Sequence, residues 1–259
     1  MDSVQKIPLN EQPEIKELFK VLDENDMGME KQEIEGLIQY IENMETGFGQ
    51  VLDELKQVRG QLEQIQDKSV KATVQRIVDK AEIKVLEVKD QLLTVKNNLV
   101  KSAVKAVDTF KKKGVTALSK AVKSMGIYSA LSQVRQGLQN AIGAINKNIT
   151  TIGTISNEIH SIGEHSKNLG RTLIGRQTKD ITPHNPDKGV LAKIQKFFMN
   201  SGSLLSNMEK KTENAMKKVA ELEKHEEKKP SVKESLKAIR AEQSAKQRDS
   251  KPLSQEKAR

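Results

Sequence analysis

From Ile34 the apolar residues run through Leu37, Ile41, Met44, Phe48, Val51, Leu55, Val58, Leu62 and Ile65, in steps that alternate three and four without a break. A stripe repeating every 3.5 residues stays on one side of an α-helix only if the helix supercoils around a partner. Ten such positions in a row exclude a strand, whose side chains alternate with period two, and call for a second helix to cover them. Gly36, Gly47, Gly49 and Gly60 lie off the seam. Each costs about 1 kcal/mol relative to Ala, so this helix depends on packing more than on propensity.

Composition sets the width of the core. Of 259 residues 36% are hydrophobic and 31% charged, against a usual ~45–50% and ~25%. The expectation is all-α: an elongated bundle of long amphipathic helices with coiled-coil segments. The absence of Cys removes disulfides, thiol nucleophiles and Cys-ligated metal centres.

The rhythm slips by five between Ile65 and Val70, across Gln66 to Ser69, which marks a turn. Beyond it Val74, Ile77, Ala81, Val85, Val88, Leu92, Val95, Leu99, Ala103, Ala106 and Phe110 keep a period near 3.6, that of a straight amphipathic helix. Gly114 and Gly126 mark interruptions with a short helix between them. A third long segment carries Leu131, Val134, Leu138, Ile142, Ile145, Ile149, Ile152, Ile159, Ile162 and Leu169. There Gly143, Gly153 and Gly163 recur every ten residues, a spacing that suits close helix contacts better than a hinge. The heptad returns at Leu191, Ile194, Phe198, Ser201, Leu205, Met208, Thr212, Ala215, Val219 and Leu222.

The spacing predicts helices over 14–25, 30–66, 68–125, 127–175 and 190–224. Residues 1–13 are expected to be a flexible N-terminus and 14–176 a helical, coiled-coil domain. Pro183 and Pro186 place a linker at 177–189, followed by a C-terminal amphipathic helix at 190–224. Residues 225–259 are charge-dense and nearly free of apolar side chains, the composition of a disordered basic tail. Ser231 to Glu234 reads as a capping box that opens a short amphipathic run with Val232, Leu236 and Ile239.

Charge is partitioned within the overall +9. Residues 1–66 carry a net −9, residues 67–129 a net +8 and residues 130–259 a net +10. An acidic helix followed by a basic one suggests an antiparallel hairpin. Flanking charges would select the partner and the apolar seam would hold it, since surface ion pairs give only ~0–1 kcal/mol each.

Motifs for chemistry fail on inspection. Asp23 to Gly28 opens like a calcium loop, but Met27 and Ile34 stand where oxygen ligands belong. Gly170 to Gln177 has phosphate-loop spacing, yet Arg176 and Gln177 replace the required Lys and Ser/Thr and no strand precedes them. His160 and His165 are five apart and cannot chelate one metal as an i, i+4 pair would. No catalytic, cofactor-binding or metal-ligating residue is assigned, and the chain is read as a non-enzyme without a cofactor.

One surface invites a ligand. Lys101, Lys105, Lys111, Lys112, Lys113, Lys120 and Lys123 flank an apolar face formed by Val104, Val107, Phe110, Val115, Leu118 and Val122. A basic amphipathic helix can lie on an anionic membrane surface or on nucleic-acid phosphates. No aromatic side chain is interleaved, so base stacking is not expected. The plainer reading is the solvated face of a bundle helix.

Several stretches resemble a family of uncharacterised helical proteins, a domain of unknown function from Gram-positive bacteria associated with conjugative and other mobile elements. They are Leu37 to Glu45, Val51 to Leu62, Gln91 to Lys96, Lys113 to Leu118 and His165 to Gly175, so the likeness spans roughly residues 14–176. The run Lys229 to Lys237 is similar to the tails of other mobile-element proteins. The resemblance implies no activity and assigns no site residue. Neither a secretory leader nor a membrane-spanning stretch is read, so the expected location is the cytoplasm.

The expectation is thus a non-enzymatic helical interaction or scaffold protein, mobile-element cargo, whose partner is itself or another helical protein. The alternative is an accessory nucleic-acid binder that uses the Lys-rich surface and the tail.

Overall fold

Asp67 fixes where the first hairpin turns. Its carboxylate accepts from the amides of Ser69 at 2.8 Å and Val70 at 3.0 Å, satisfying two of the donors a new helix leaves unpaired. The computed structural model describes residues 7–183, 185 and 188–224. They form α1 (Pro13–Asp23), α2 (Gly28–Leu62), α3 (Lys68–Lys113), α4 (Val115–Lys123), α5 (Ile127–Leu173) and α6 (Val190–Lys224). No strand occurs among the described residues, so the chain is all-α. Contacts group residues 1–220 into one compact unit, which holds every feature below; of residues 221–259 only the last turn of α6 is described.

The helix expected over 68–125 is broken at Gly114. Its amide still donates to the Phe110 carbonyl at 2.8 Å, but its φ of 78° ends the helix in a conformation that a side chain would strain. Gly126, at φ 64°, starts α5 in the same way. At the other end of the chain Leu9 sits in a 3-10 turn and is buried in the core. The core therefore reaches into the stretch expected to be a flexible N-terminus. Residues 1–6 and the tail expected to be disordered, 225–259, lie outside the described residues.

The four long helices run alternately up and down, each beside two antiparallel neighbours. Between α2 and α3, Lys96 Nζ pairs with both Glu45 carboxylate oxygens at 2.9 and 3.0 Å, and Arg59 bridges Asp79, at 2.8 Å, and Glu82. Between α3 and α5 the backbones come close at Gly137, where an added Cβ would run into Gln91 Oε1 and lie 3.0 Å from Val88 Cγ2. Between α5 and α6, Arg135 binds Glu209 at 2.8 Å and Glu213 at 3.3 Å. The hydrogen bond to Glu209 raises the Arg135 pKa, and the Lys217 hydrogen bond, reinforced by Lys217 and Arg135 charge, lowers that of Glu213. Between α6 and α2, Tyr40 Oη meets Thr212 Oγ1 at 2.8 Å, and Gly47 lies against Met208.

The recurring glycines of α5 do not share one role. An added Cβ at Gly153 would come within 3.2 Å of Gln195 Nε2, but at Gly143 and Gly163 it would meet open space. Close helix contacts are made instead at Gly47, Gly137 and Gly202, the last facing Ile145.

The helices are staggered, and this shapes both ends of the bundle. Val88 and Gln91 face Gly137, while Lys80 and Lys84 share a surface groove with Ala144 and Asn148. On this antiparallel register α3 and α5 overlap only over about two thirds of their lengths. The unmatched end of α3, after about Leu99, is covered by α1 and α4. The unmatched end of α5 extends past the opposite end of the bundle.

Candidate interaction surfaces

The long seam of α2 is spent inside the chain. Ile34, Leu37, Ile41, Met44, Phe48, Val51, Leu55, Val58 and Leu62 are all buried. Ile65 lies beyond the last turn of α2 and is partly buried against the core. Besides α3, the helix that covers the seam is α6, through the contacts at Tyr40, Gly47 and Glu54, whose Oε1 meets Asn200 Nδ2 at 3.5 Å. The seam needs neither the Ile-rich α5 nor a second copy of the chain to cover it. The heptad of α6 takes the place because it matches α2 in period as well as length: both helices span 35 residues.

The Lys-rich surface occupies the end of the bundle formed by α3 and α4. Lys101, Lys105, Lys112, Lys113 and Lys120 are exposed and Lys123 is half-buried. Lys111 is tied to Glu17 of α1 at 2.7 Å, a hydrogen bond that raises its pKa. The apolar side of this segment is largely used by the core: Val107, Leu118 and Val122 are buried and Phe110 is half-buried, which leaves Val104 and Val115 outside. Three of these lysines also close the last turn of α3, where positive charge complements the helix dipole.

A third surface emerges at the opposite end. The last ~15 residues of α5, about 22 Å of helix, run past the turn between α2 and α3 and past the start of α6. Along this projection Ile159, Ile162, Leu169 and Leu173 are 42%, 66%, 62% and 79% exposed. Ile159 and Leu173 continue the heptad row of Ile145 and Ile152, and Ile162 and Leu169 that of Val134 and Ala141, all four of which are buried in the bundle. The apolar row was readable in the sequence as far as Leu169; its exposure follows from the stagger of the helices.

The chain that leaves α5 folds back along the projection as a strap. Asn168 grips the Lys179 backbone on both edges, its Nδ2 donating to the carbonyl at 2.6 Å and its Oδ1 accepting from the amide at 2.9 Å. Thr182 Oγ1 donates to Glu164 Oε2 at 3.2 Å, and its carbonyl meets His160 Nε2 at 2.8 Å. Glu164 also accepts from Lys167 at 2.7 Å, and that bond, ahead of the one from Thr182, holds its pKa below the usual carboxylate value. At 100° per residue, His160, Glu164 and Asn168 lie roughly half a turn away from Ile162, Leu169 and Leu173. The strap therefore occupies the polar back of the projection and leaves its apolar front open.

Where the projection meets the bundle, an open groove of about 360 Å³ is lined by Ile65, Val70, Ile159, Val190 and Leu191, among others. Among the described residues no group of three or more His, Asp or Glu side chains is placed to hold a metal ion, and no helix is long and apolar enough to cross a membrane.

No curated protein matches the chain, and no solved structure does. Residues 11–259 match a family described as Family of unknown function (DUF6674). The match takes in all six helices as well as the tail, and on that extent the chain belongs to this family.

Proposed function

We propose that this protein acts by binding another protein through the exposed end of α5, as a non-enzymatic helical interaction or scaffold protein of the cytoplasm. The observation that carries this reading is the apolar row on the projection. Four large aliphatic side chains, each two-fifths or more exposed, stand at heptad positions that nearer the bundle, at Val134, Ala141, Ile145 and Ile152, are core. They amount to roughly 400 Å² of apolar surface, within the range of ~300–600 Å² for the largest patch on a monomer, which is often a functional one. The seam between Ile34 and Ile65 no longer supports association, because the fold consumes it. The resemblance to mobile-element proteins of Gram-positive bacteria suggests where such a protein would be encoded.

The test is site-specific photocrosslinking in the native host, with benzoylphenylalanine at Leu169 and, as control, at Leu86 on the outer face of α3. The reading expects adducts to protein from position 169 well above those from position 86. Equal yields from the two positions would refute it.

A second reading follows from the five exposed lysines at the α3–α4 end, none of which forms an ion pair among the described residues. They could hold phosphates of a nucleic acid without reading its sequence. A gel-shift titration against salt separates the readings: binding through these lysines weakens steeply as salt rises, and no shift at low salt removes it.

A further inference from the structure

We propose that the groove between α3 and α5 that holds Lys80, Lys84 and Lys147 binds a single-tailed anionic amphiphile, a hydrocarbon tail ending in a carboxylate or a phosphate. The site uses none of the side chains of the α5 projection or of the Lys-rich α3–α4 end, and stands independently of both readings above.

The first ground is an unbalanced charge at a helix contact. Elsewhere the helices meet acid to base. Lys111 faces Glu17 between α1 and α3, Lys96 faces Glu45 between α2 and α3, and Arg135 faces Glu209 between α5 and α6. Between α3 and α5 the groove instead sets Lys80 and Lys84 on one wall against Lys147 on the other. Its one carboxylate, Glu87, is taken by Lys84 at 2.7 Å. Lys80 and Lys147 form no ion pair among the described residues. The facing stretch of α5 cannot supply an acid, because residues 127–157 contain neither Asp nor Glu. Each wall thus presents an uncompensated ammonium to the same small space. An anion held there is attracted by both and offsets their mutual repulsion.

The second ground is the apolar lining. Ile77, Ile83 and Ala144 border the same groove, and Ile83 is 54% exposed. A bare inorganic anion would leave that surface in water, whereas a hydrocarbon tail covers it. A nucleic-acid strand calls for a row of cations along its phosphates and aromatic platforms for its bases. Here two free cations flank one aliphatic patch, and the lining has no aromatic side chain.

The third ground is the supply of donors and space. Half-buried Asn148 brings an amide that forms no hydrogen bond among the described residues, so its N–H groups are open to a head group. Thr151 gives its own proton to the Lys147 carbonyl at 2.9 Å, which leaves the amide and the ammoniums as the donors of the groove. The groove holds about 390 Å³, inside the ~300–1,000 Å³ range of small-molecule sites.

The test is calorimetric titration of the full chain with decanoate and, in parallel, with decyl phosphate, each below its micelle concentration. One amphiphile per chain should bind, the tighter of the two naming the head group. Acetate, which lacks the tail, and decyltrimethylammonium, which reverses the charge, should each bind at least about tenfold more weakly. Lys147→Glu sets opposite charges across the groove, so it should melt no lower than the parent and still raise the dissociation constant about tenfold or more. Lys80→Gln and Ile83→Ser, both at exposed positions, should each raise it severalfold, while Lys211→Glu on α6 should leave it unchanged. Circular dichroism of each variant checks that it is folded. Failure of both probes to bind, binding indifferent to Lys147→Glu and Lys80→Gln, or acetate as tight as decanoate would overturn the inference. So would binding to phosphatidylglycerol vesicles by a chain that takes up neither monomeric probe.

Discussion

The Tyr40 hydroxyl donates to Thr212 Oγ1 across the α2–α6 contact, at 2.8 Å and inside the core. The direction is set by Thr212, whose own proton goes to the Met208 carbonyl at 2.8 Å. Burial pushes the Tyr40 pKa from 10.0 up to about 12. The folded state thus favours the neutral phenol. Its contribution is complete below pH 10 and is lost as pH rises through about 12. The stability lost over that range is about 2–3 kcal/mol. Tyr40→Phe should cost about 1 kcal/mol at neutral pH through the lost hydrogen bond. It should also flatten the fall in stability between pH 10 and 12 relative to the parent chain, as measured by urea unfolding at a series of pH values.

Lys96 and Glu45 form the most enclosed ion pair between α2 and α3, the Lys96 side chain being 9% exposed. Removing one partner of such a pair harms more than replacing the charge with a hydrocarbon of similar shape. Glu45→Gln should destabilise by about 1–3 kcal/mol because it leaves the ammonium without a counter-charge. Lys96→Met should cost less, since Glu45 remains partly in water. Denaturant midpoints of the two variants check the order.

Gly143 and Gly137 lie six residues apart on α5 and should respond oppositely to Ala. At Gly143 the added methyl meets nothing, so Gly143→Ala should gain about 0.5–1 kcal/mol of helix propensity. At Gly137 it would press on Val88 and displace Gln91, so the same gain is offset or reversed. Thermal melts of both variants measure the difference.

Leu55 is buried in the middle of the α2 seam, and Leu55→Ala should cost about 2–5 kcal/mol without changing the sedimenting mass of the parent chain. The helices were legible here because burial imposes period on sequence: the row from Ile34 to Leu62 is both the strongest repeat and the centre of the core. The broken helix at Gly114 and the turn at Asp67 were legible for local reasons, a backbone only Gly adopts readily and a slip in spacing. Which helix covered the seam was not legible. Any heptad row can pair with any other, and the choice of α6 depends on relative length and stagger. The same stagger decided the fate of Ile162 and Leu169, which carry the same pattern as buried Val134 and Ala141 yet lie in solvent. Periodicity records that a helix has an apolar face; it does not record where its neighbours stop.

Within one chain α6 closes the bundle against α2, which leaves α5 as the helix with a free apolar face. Cysteines at Gly47 and Met208 measure this directly, because an added Cβ at Gly47 lies 2.9 Å from Met208 Sδ and the chain has no other thiol. Gly47→Cys combined with Met208→Cys should form a disulfide inside a single chain, at a rate independent of protein concentration and without a change in mass on a non-reducing gel. A disulfide that forms only between chains, or none under conditions that oxidise free thiols, would contradict the account.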